Sequence, residues 1–303
     1  MSPGLRQTLL RNSAFTQYAG QVDMNANNKK VKRNRVLRFY NQVLGFDRLH
    51  YGLWEHDDEF SIEGVKKAQE RYEQYLLNLI HFNLISSDVK TILDVGCGTG
   101  IMAENLKKSG YNVEGLSPDI YQKELFTDRT QSTLHLCCFE DFIPSVQYDC
   151  IIMSESSQYI PLPHLFDVAK KSIKPHGYLL VCDYFVLNHA SGPLAKSGHP
   201  LEKFLTMAEQ FGFKINHDED ITDRVTKTLD VARHFVEKYV IPSVDIATEK
   251  IRERRPYLFY FICWLFRKRI NQIKEDIKLL DSHEFKRNKR YKLMLFQLRE
   301  EDS

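Results

Sequence analysis

The chain has 303 residues, 43% of them apolar and 27% charged, with a formal net charge of +2. That balance suits a folded globular protein with a sizeable core, and it provides no global attraction for nucleic acid. The six cysteines show no metal-ligand spacing and read as reduced core thiols, so no metal site is expected. Residues 1–28 are polar with weak periodicity. The opening MSPGLRQTLLRNSAF has no apolar stretch of signal-peptide length, and the cysteines, read as reduced thiols, predict a cytoplasmic protein. Lys29–Arg38 is strongly basic and reads as a solvated helix face. Phe39–Glu55 is dense in aromatic residues and precedes an amphipathic helix predicted over Ser61–Phe82.

The rest of the chain is organised around residues 91–100, Thr-Ile-Leu-Asp-Val-Gly-Cys-Gly-Thr-Gly. Apolar Ile92, Leu93 and Val95 predict a short buried strand, and Gly96, Gly98 and Gly100 break it before a helix predicted over Ile101–Ser109. Strand, glycine turn and helix open a doubly wound α/β nucleotide site, where backbone can touch a ligand because no Cβ intervenes. Read from Gly98, the string Gly-Thr-Gly-Ile-Met-Ala fits a dinucleotide fingerprint. Read from Asp94, the string D-V-G-C-G-T-G resembles the first motif of class I S-adenosylmethionine-dependent methyltransferases. Asp94 favours the second reading, because an acid there serves an ammonium group and would repel a pyrophosphate. The resemblance implies a Rossmann-like α/β sheet and S-adenosyl-L-methionine as cofactor. Asp94, Gly96, Cys97, Gly98 and Gly100 would then surround the donor.

The resemblance continues on both sides of this turn. His50-Tyr51-Gly52-Leu53-Trp54 is similar to the segment that precedes the core in small-molecule and lipid methyltransferases, the cyclopropane fatty-acid synthase relatives among them. It implies that Tyr51 closes over the donor; the alternative is an aromatic staple between the N-terminal helix and the core. A second strand over Asn112–Leu116 leads to Ser117-Pro118-Asp119. Ser117 stands where most members carry a ribose-binding acid, a departure shared by the tocopherol-methyltransferase and cyclopropane-synthase relatives. A third strand over Thr133–Cys138 runs into Phe139-Glu140-Asp141-Phe142, similar to the element that flanks adenine in those relatives. The fourth strand, Tyr148–Met153, ends in Ser154-Glu155-Ser156-Ser157-Gln158-Tyr159 at the open end of the sheet, where ligands bind. Ser154 is assigned to the donor, and Glu155, Gln158 and Tyr159 to the acceptor. After a helix over Pro163–Ser172, the string Lys174-Pro175-His176-Gly177 resembles the turn before the family's fifth strand, which runs to Tyr184.

Beyond a Gly/Ser/Pro/His-rich loop, Leu187–Pro200, the pattern predicts a helix over Pro200–Phe211, a sixth strand over Phe213–Ile221 and a seventh over Tyr291–Leu298. The intervening residues are helical by pattern. They contain the apolar run Pro256–Phe266 between Arg252, Arg254, Arg255 and Arg267, Lys268, Arg269. The run is too short to cross a bilayer. It is expected to roof the acceptor pocket, with Trp264 facing the substrate; a subunit contact, a membrane contact and a buried core helix are its alternatives. The chain thus divides into an N-terminal arm and cap over 1–60, a methyltransferase core over 61–221, a helical lid over 222–289, and a last strand and tail over 290–303. The predicted function is methyl transfer to a small, hydrophobic or lipid-like molecule, with His189, His199 and Tyr184 as candidate bases. Peripheral membrane contact and homo-oligomerisation stay open. Three rival readings have features of the sequence against them. Cyclopropane-type methylene transfer is opposed by Gln158 and Tyr159, which stand where those relatives carry Glu-His. A nicotinamide dehydrogenase is opposed by Asp94, and a non-catalytic donor-binding scaffold by the intact glycine string.

Overall fold

Ser61 accepts a hydrogen bond from the Gly64 N–H at 3.0 Å and caps the first long helix, α1 (Ile62–Asn83). The computed structural model describes residues 38, 41–42, 45–84 and 90–299; residues 1–28 and nearly all of the basic stretch lie outside them. The core then alternates strand and helix: β1 (Thr91–Val95), α2 (Ile101–Lys108), β2 (Asn112–Leu116), α3 (Ile120–Thr130), β3 (Leu134–His135), β4 (Tyr148–Ser154), α4 (Leu162–Ser172) and β5 (Ile173–Val186). A short β6 (His199–Pro200), α5 (Leu201–Gln210) and β7 (Phe213–Asp220) come next. The sheet order is β3-β2-β1-β4-β5-β8-β7, where β8 (Lys289–Leu298) is antiparallel to both of its neighbours. This is the class I Rossmann-like arrangement.

Period-two alternation divides the apolar residues between the two faces of the sheet. Ile92, Cys150, Ile152, Leu180 and Cys182 pack with Tyr72 and Ile80 of α1, Leu106 of α2 and Phe126 of α3. Their neighbours Leu93, Val95, Ile151, Met153, Leu179 and Val181 pack on the opposite face with Leu165 and Phe166 of α4 and Phe204 of α5. Both faces are covered, as a parallel sheet requires.

The third strand is shorter than its sequence predicts. Only Leu134 and His135 pair with β2, because β3 is an edge strand and the chain turns away into the helical turn Phe139–Asp141. Between β7 and β8 come α6 (Thr222–Val225), α7 (Lys227–Phe235), a π-helical turn (Val236–Val240), α8 (Ile241–Arg254), α9 (Pro256–Leu265), α10 (Arg267–Lys278) and α11 (Ser282–Asn288). The root of this insertion is anchored: Val225, Leu229, Leu280 and Phe285 are buried in the core. Its tip is not, since no residue of α8 or α9 is buried.

The carboxyl ends of β1, β2, β4 and β5 open on one edge, where the glycine turn, Ser117 and Glu155 lie. A trough of about 830 Å³ lies at the opposite edge, lined by Thr91, Asn112, Thr133 and Gln147, and holds none of the expected site residues.

Candidate active site

All three glycines of the turn have positive φ: 78° at Gly96, 55° at Gly98 and 83° at Gly100. Glycine tolerates that region and other residues are strained in it. At Gly96 a Cβ would meet that of Ser156 at 2.5 Å, and at Gly100 it would meet Phe126 at 3.1 Å. At Gly98 nothing stands within 4 Å of that position. Two of the glycines therefore serve close packing, and the middle one faces open space. Cys97 turns its thiol into the core, so only its backbone is left to face a donor on this turn.

Asp94 is buried one residue before the end of β1, beneath this turn. Its Oδ2 is buried and has no hydrogen-bond partner among the described residues. Burial first, and then the charge of Glu73, push its carboxyl up to about 7. An unpartnered buried carboxylate oxygen is costly unless a cation completes it. The ammonium of S-adenosylmethionine fits that need, and the space before Gly98 fits a ligand lying on the turn.

The other expected donor residues occupy the same edge. Ser117 is fully buried; its hydroxyl donates to Gln122 Oε1 at 2.6 Å and accepts from the Asp119 N–H at 3.1 Å. It reaches a ligand only if Gln122 yields that bond. Asp119 caps α3 by accepting from the Tyr121 and Gln122 N–H groups. The Phe139 ring is buried against Phe142, so the apolar face expected of it at the adenine is used in core packing. Glu140 is half-buried and Asp141 exposed, beside a cavity of about 340 Å³.

The segment ahead of α1 crosses this edge as a strap. The Tyr121 hydroxyl donates to Asn41 at 2.9 Å, and Thr99 of the glycine turn donates to the Asp47 carbonyl at 2.6 Å. Arg48 Nε donates to Glu73 at 3.0 Å. His50 stacks on Tyr72 with ring centroids 4.5 Å apart and donates through Nδ1 to the Tyr51 carbonyl. Burial works against a charge on His50, but the bond to Glu73 and the nearby carboxylates outweigh it and hold the imidazole above its usual value. Beyond the crevice, Thr228 of α7 accepts from the Gly52 N–H and from Trp54 Nε1, tying the strap to the root of the insertion.

Tyr51 and Glu155 meet where the strap passes the end of β4. Glu155 has a left-handed backbone, φ 53°. Its Oε1 accepts from the Tyr51 N–H and from the Tyr291 hydroxyl, each at 2.6 Å. The Tyr291 hydroxyl lies 3.2 Å from that of Tyr72, which shares a 2.9 Å hydrogen bond with Ser154. Burial raises Glu155 above the usual carboxylate range, and His50, Tyr291 and the Tyr51 N–H pull against it. Tyr51's ring packs on Tyr291 and Phe285 at 5.4 and 6.0 Å, on the side of β4, β8 and the insertion.

Of the expected acceptor residues, Glu155, Gln158 and Tyr159 lie together after β4. Asp183 of β5 braces that loop by accepting from the Ser157 hydroxyl at 2.7 Å and the Gln158 N–H at 3.1 Å. Burial holds Asp183 at about 7. Gln158 Oε1 is buried with no hydrogen-bond partner among the described residues.

The three candidate bases do not have a base's surroundings. His189 is exposed on its loop, and its Nε2 donates to the Arg287 carbonyl at 3.0 Å. His199 donates to the Ser157 carbonyl at 2.9 Å, and burial lowers its proton affinity, which makes it a neutral strut. Tyr184 is held far above its ordinary value by burial and by Asp183, with the Lys289 ammonium 3.8 Å from its ring centroid. Trp264 is also displaced from the role assigned to it. It is 60% exposed on a helix without buried residues and stacks on Phe261.

Sequence reasoning missed Tyr72, His50, Asp183 and Tyr291. Tyr291 carried one usable signal, a polar-tipped ring at the start of the last predicted strand. The others read as ordinary helix, cap and strand residues.

A family model described as a methyltransferase domain matches residues 68–217. The ubiquinone biosynthesis O-methyltransferase of Rickettsia bellii is 26% identical over 227 residues, covering 68% of this chain and 91% of that protein. The ubiquinone biosynthesis O-methyltransferase of Hydrogenovibrio crunogenus is 36% identical over 157 residues, covering 46% and 58%. Among solved structures, geranyl diphosphate C-methyltransferase from Streptomyces coelicolor, in complex with Mg2+, geranyl diphosphate and S-adenosyl-L-homocysteine, superposes with a TM-score of 0.64 at 13% identity, covering 95% of this chain and 98% of that one. With these matches, the sheet order and the glycine turn over Asp94, the chain belongs to the class I S-adenosylmethionine-dependent methyltransferases: it is an enzyme whose cofactor is S-adenosyl-L-methionine.

Proposed function

We propose that the enzyme methylates a hydroxyl oxygen of a small, hydrophobic aromatic acceptor, with Glu155 as the base. The observation that carries this reading is the setting of Glu155. A residue in strained left-handed backbone is held by two 2.6 Å hydrogen bonds at the carboxyl end of β4, amid the rings of Tyr51 and Tyr291. Backbone strain that is over-determined by its surroundings marks functional positions. Bound S-adenosylmethionine supplies a methyl group on an electrophilic sulfonium carbon. Asp94 and the glycine turn hold the donor, and the strap over Thr99 and Glu73 excludes water. Glu155 takes the acceptor's hydroxyl proton as the carbon–oxygen bond forms and the carbon–sulfur bond breaks. The Tyr51 N–H and the Tyr291 hydroxyl keep its carboxylate aimed.

The names of the curated relatives support oxygen as the methylated atom, and the aromatic surroundings of Glu155 support a ring-bearing or prenyl-like acceptor. Six unpaired cysteines fit a reducing compartment, and we assign the cytoplasm. The test is incubation of the purified protein with methyl-labelled S-adenosylmethionine and a series of alkylated catechols and phenols, with products identified by mass spectrometry. The expected product is a methyl ether. Glu155→Gln should lower kcat by about 10²- to 10⁴-fold and remove the acidic limb of the pH profile. Carbon-methylated product, or an unchanged acidic limb in the variant, overturns the reading.

A further inference from the structure

The tip of the insertion carries a cluster of exposed apolar side chains. Tyr239, Val244 and Ile246 before it, and Tyr257, Tyr260, Phe261, Trp264 and Leu265 of α9, are exposed large hydrophobic residues. Tyr257 is 90% exposed. At 3.6 residues per turn, the exposed side chains of α9 and Phe266 cover an arc of about 240°. A flat protein partner would leave much of that arc wet. A medium that surrounds the helix would not.

The charges identify that medium. Arg252, Arg254 and Arg255 precede α9, and Arg267 and Lys268 come after it, so both ends of the helix are basic. Pairing two copies of this tip, parallel or antiparallel, would set basic ends against basic ends. An anionic lipid surface complements both ends at once. Tyr and Trp are the residues that favour the boundary between headgroups and acyl chains. The ten residues of α9 span about 15 Å, half of a hydrocarbon core of about 30 Å. No helix among the described residues is long and apolar enough to cross a membrane.

We infer that the α8–α10 tip is a docking element that inserts α9 into one leaflet of an anionic bilayer, with the flanking arginines at the headgroups. The element grows from the root, whose Phe285 and Leu229 share a core cluster with Tyr291, so docking would bring the acceptor side of the crevice close to a lipid-dissolved substrate. The inference does not depend on which atom is methylated.

The two tryptophans make the test direct. Trp54 is 4% exposed and Trp264 is 60% exposed, so a change in emission on adding vesicles reports Trp264. The full chain is mixed with vesicles of phosphatidylcholine, or of phosphatidylcholine with phosphatidylglycerol, and followed by fluorescence and by flotation. The expected result is a blue shift and co-flotation with the anionic vesicles, weakened at high salt. The pair Arg254→Glu and Arg255→Glu should weaken vesicle binding by more than about tenfold. Phe261→Glu should abolish flotation while S-adenosylhomocysteine binding and melting temperature stay as in the wild type. Absence of both blue shift and flotation at low salt overturns the inference. So does a lipid-independent blue shift that accompanies dimer formation in sedimentation, which would make a second copy the occupant.

Discussion

The Tyr51 N–H donates to Glu155 Oε1 at 2.6 Å and joins the strap ahead of α1 to the loop after β4, across 104 residues of chain. The bond comes from main chain, so replacing the Tyr51 side chain leaves it available. It makes the orientation of Glu155 depend on the strap being closed. The same strap holds the glycine turn through Thr99 and Asp47. A strap lying over a bound donor would therefore also align the proposed base.

The glycine turn gives the first prediction. Gly98→Val places a branched side chain in the one direction of the turn that is open, at a φ of 55° that also strains it. Calorimetry should show S-adenosylhomocysteine binding to the wild type and none to the variant. Equal affinity in both would place the donor elsewhere.

Asp94 sets a pH dependence. Its carboxyl titrates near 7 in the folded protein, against about 3.9 in an unfolded chain. Between these values the folded state holds a proton that the unfolded state lacks, so this contribution to stability is complete below about 4 and is lost as pH rises through 7. A bound ammonium favours the ionised form, so donor binding should release a proton below pH 7 and weaken as pH falls. Calorimetry in buffers of different ionisation enthalpy measures that release. In Asp94→Asn, proton release should vanish, donor affinity should drop, and the ligand-free protein should melt a few degrees higher at pH 8.

Tyr291 tunes Glu155. Its hydroxyl is one of the groups that oppose the upward push of burial. Tyr291→Phe should move the acidic limb of kcat/KM to higher pH, slowing the enzyme most under acidic conditions. The loss of stability should be about 1 kcal/mol, the usual net value of one hydrogen bond. An unmoved limb would separate Glu155 from the proton transfer.

Thr99→Val keeps the shape of the glycine turn and removes its bond to the strap. The donor should then leave faster, by severalfold for a bond worth about 1 kcal/mol. Stopped-flow displacement of S-adenosylhomocysteine measures the rate. A rate equal to the wild type's would mean that the donor exchanges without strap movement.

The sheet and its glycine turn were readable because their signals are local. Ile92 to Val95 alternate between two cores, Gly96 to Gly100 break the strand, and β2 begins and ends where the apolar pattern predicts. The proposed catalytic cluster was not local. Tyr51, Tyr72, Glu155 and Tyr291 come from a strap, a helix, a loop and the last strand, and only tertiary packing sets one beside the next. His199 shows the converse: a histidine on a polar loop near the crevice looked catalytic, yet the Ser157 carbonyl takes its ring N–H. The apolar run at Pro256–Phe266 reads as needing a cover, but periodicity has no means of saying that its helix packs on no core of its own chain.

β8 pairs with β5 along nine residues of each and separates it from β7, although all of residues 221–288 intervene between β7 and β8. During synthesis the outer edge of β5 therefore stays bare while the insertion is being made, and β7 has no place to dock until β8 arrives. Non-local pairing of this kind delays closure and leaves an apolar strand edge open to other chains. The greasy tip emerges during the same interval. The nascent chain therefore passes through a state in which a bare strand edge and the apolar tip are exposed together, and that state ends when β8 docks.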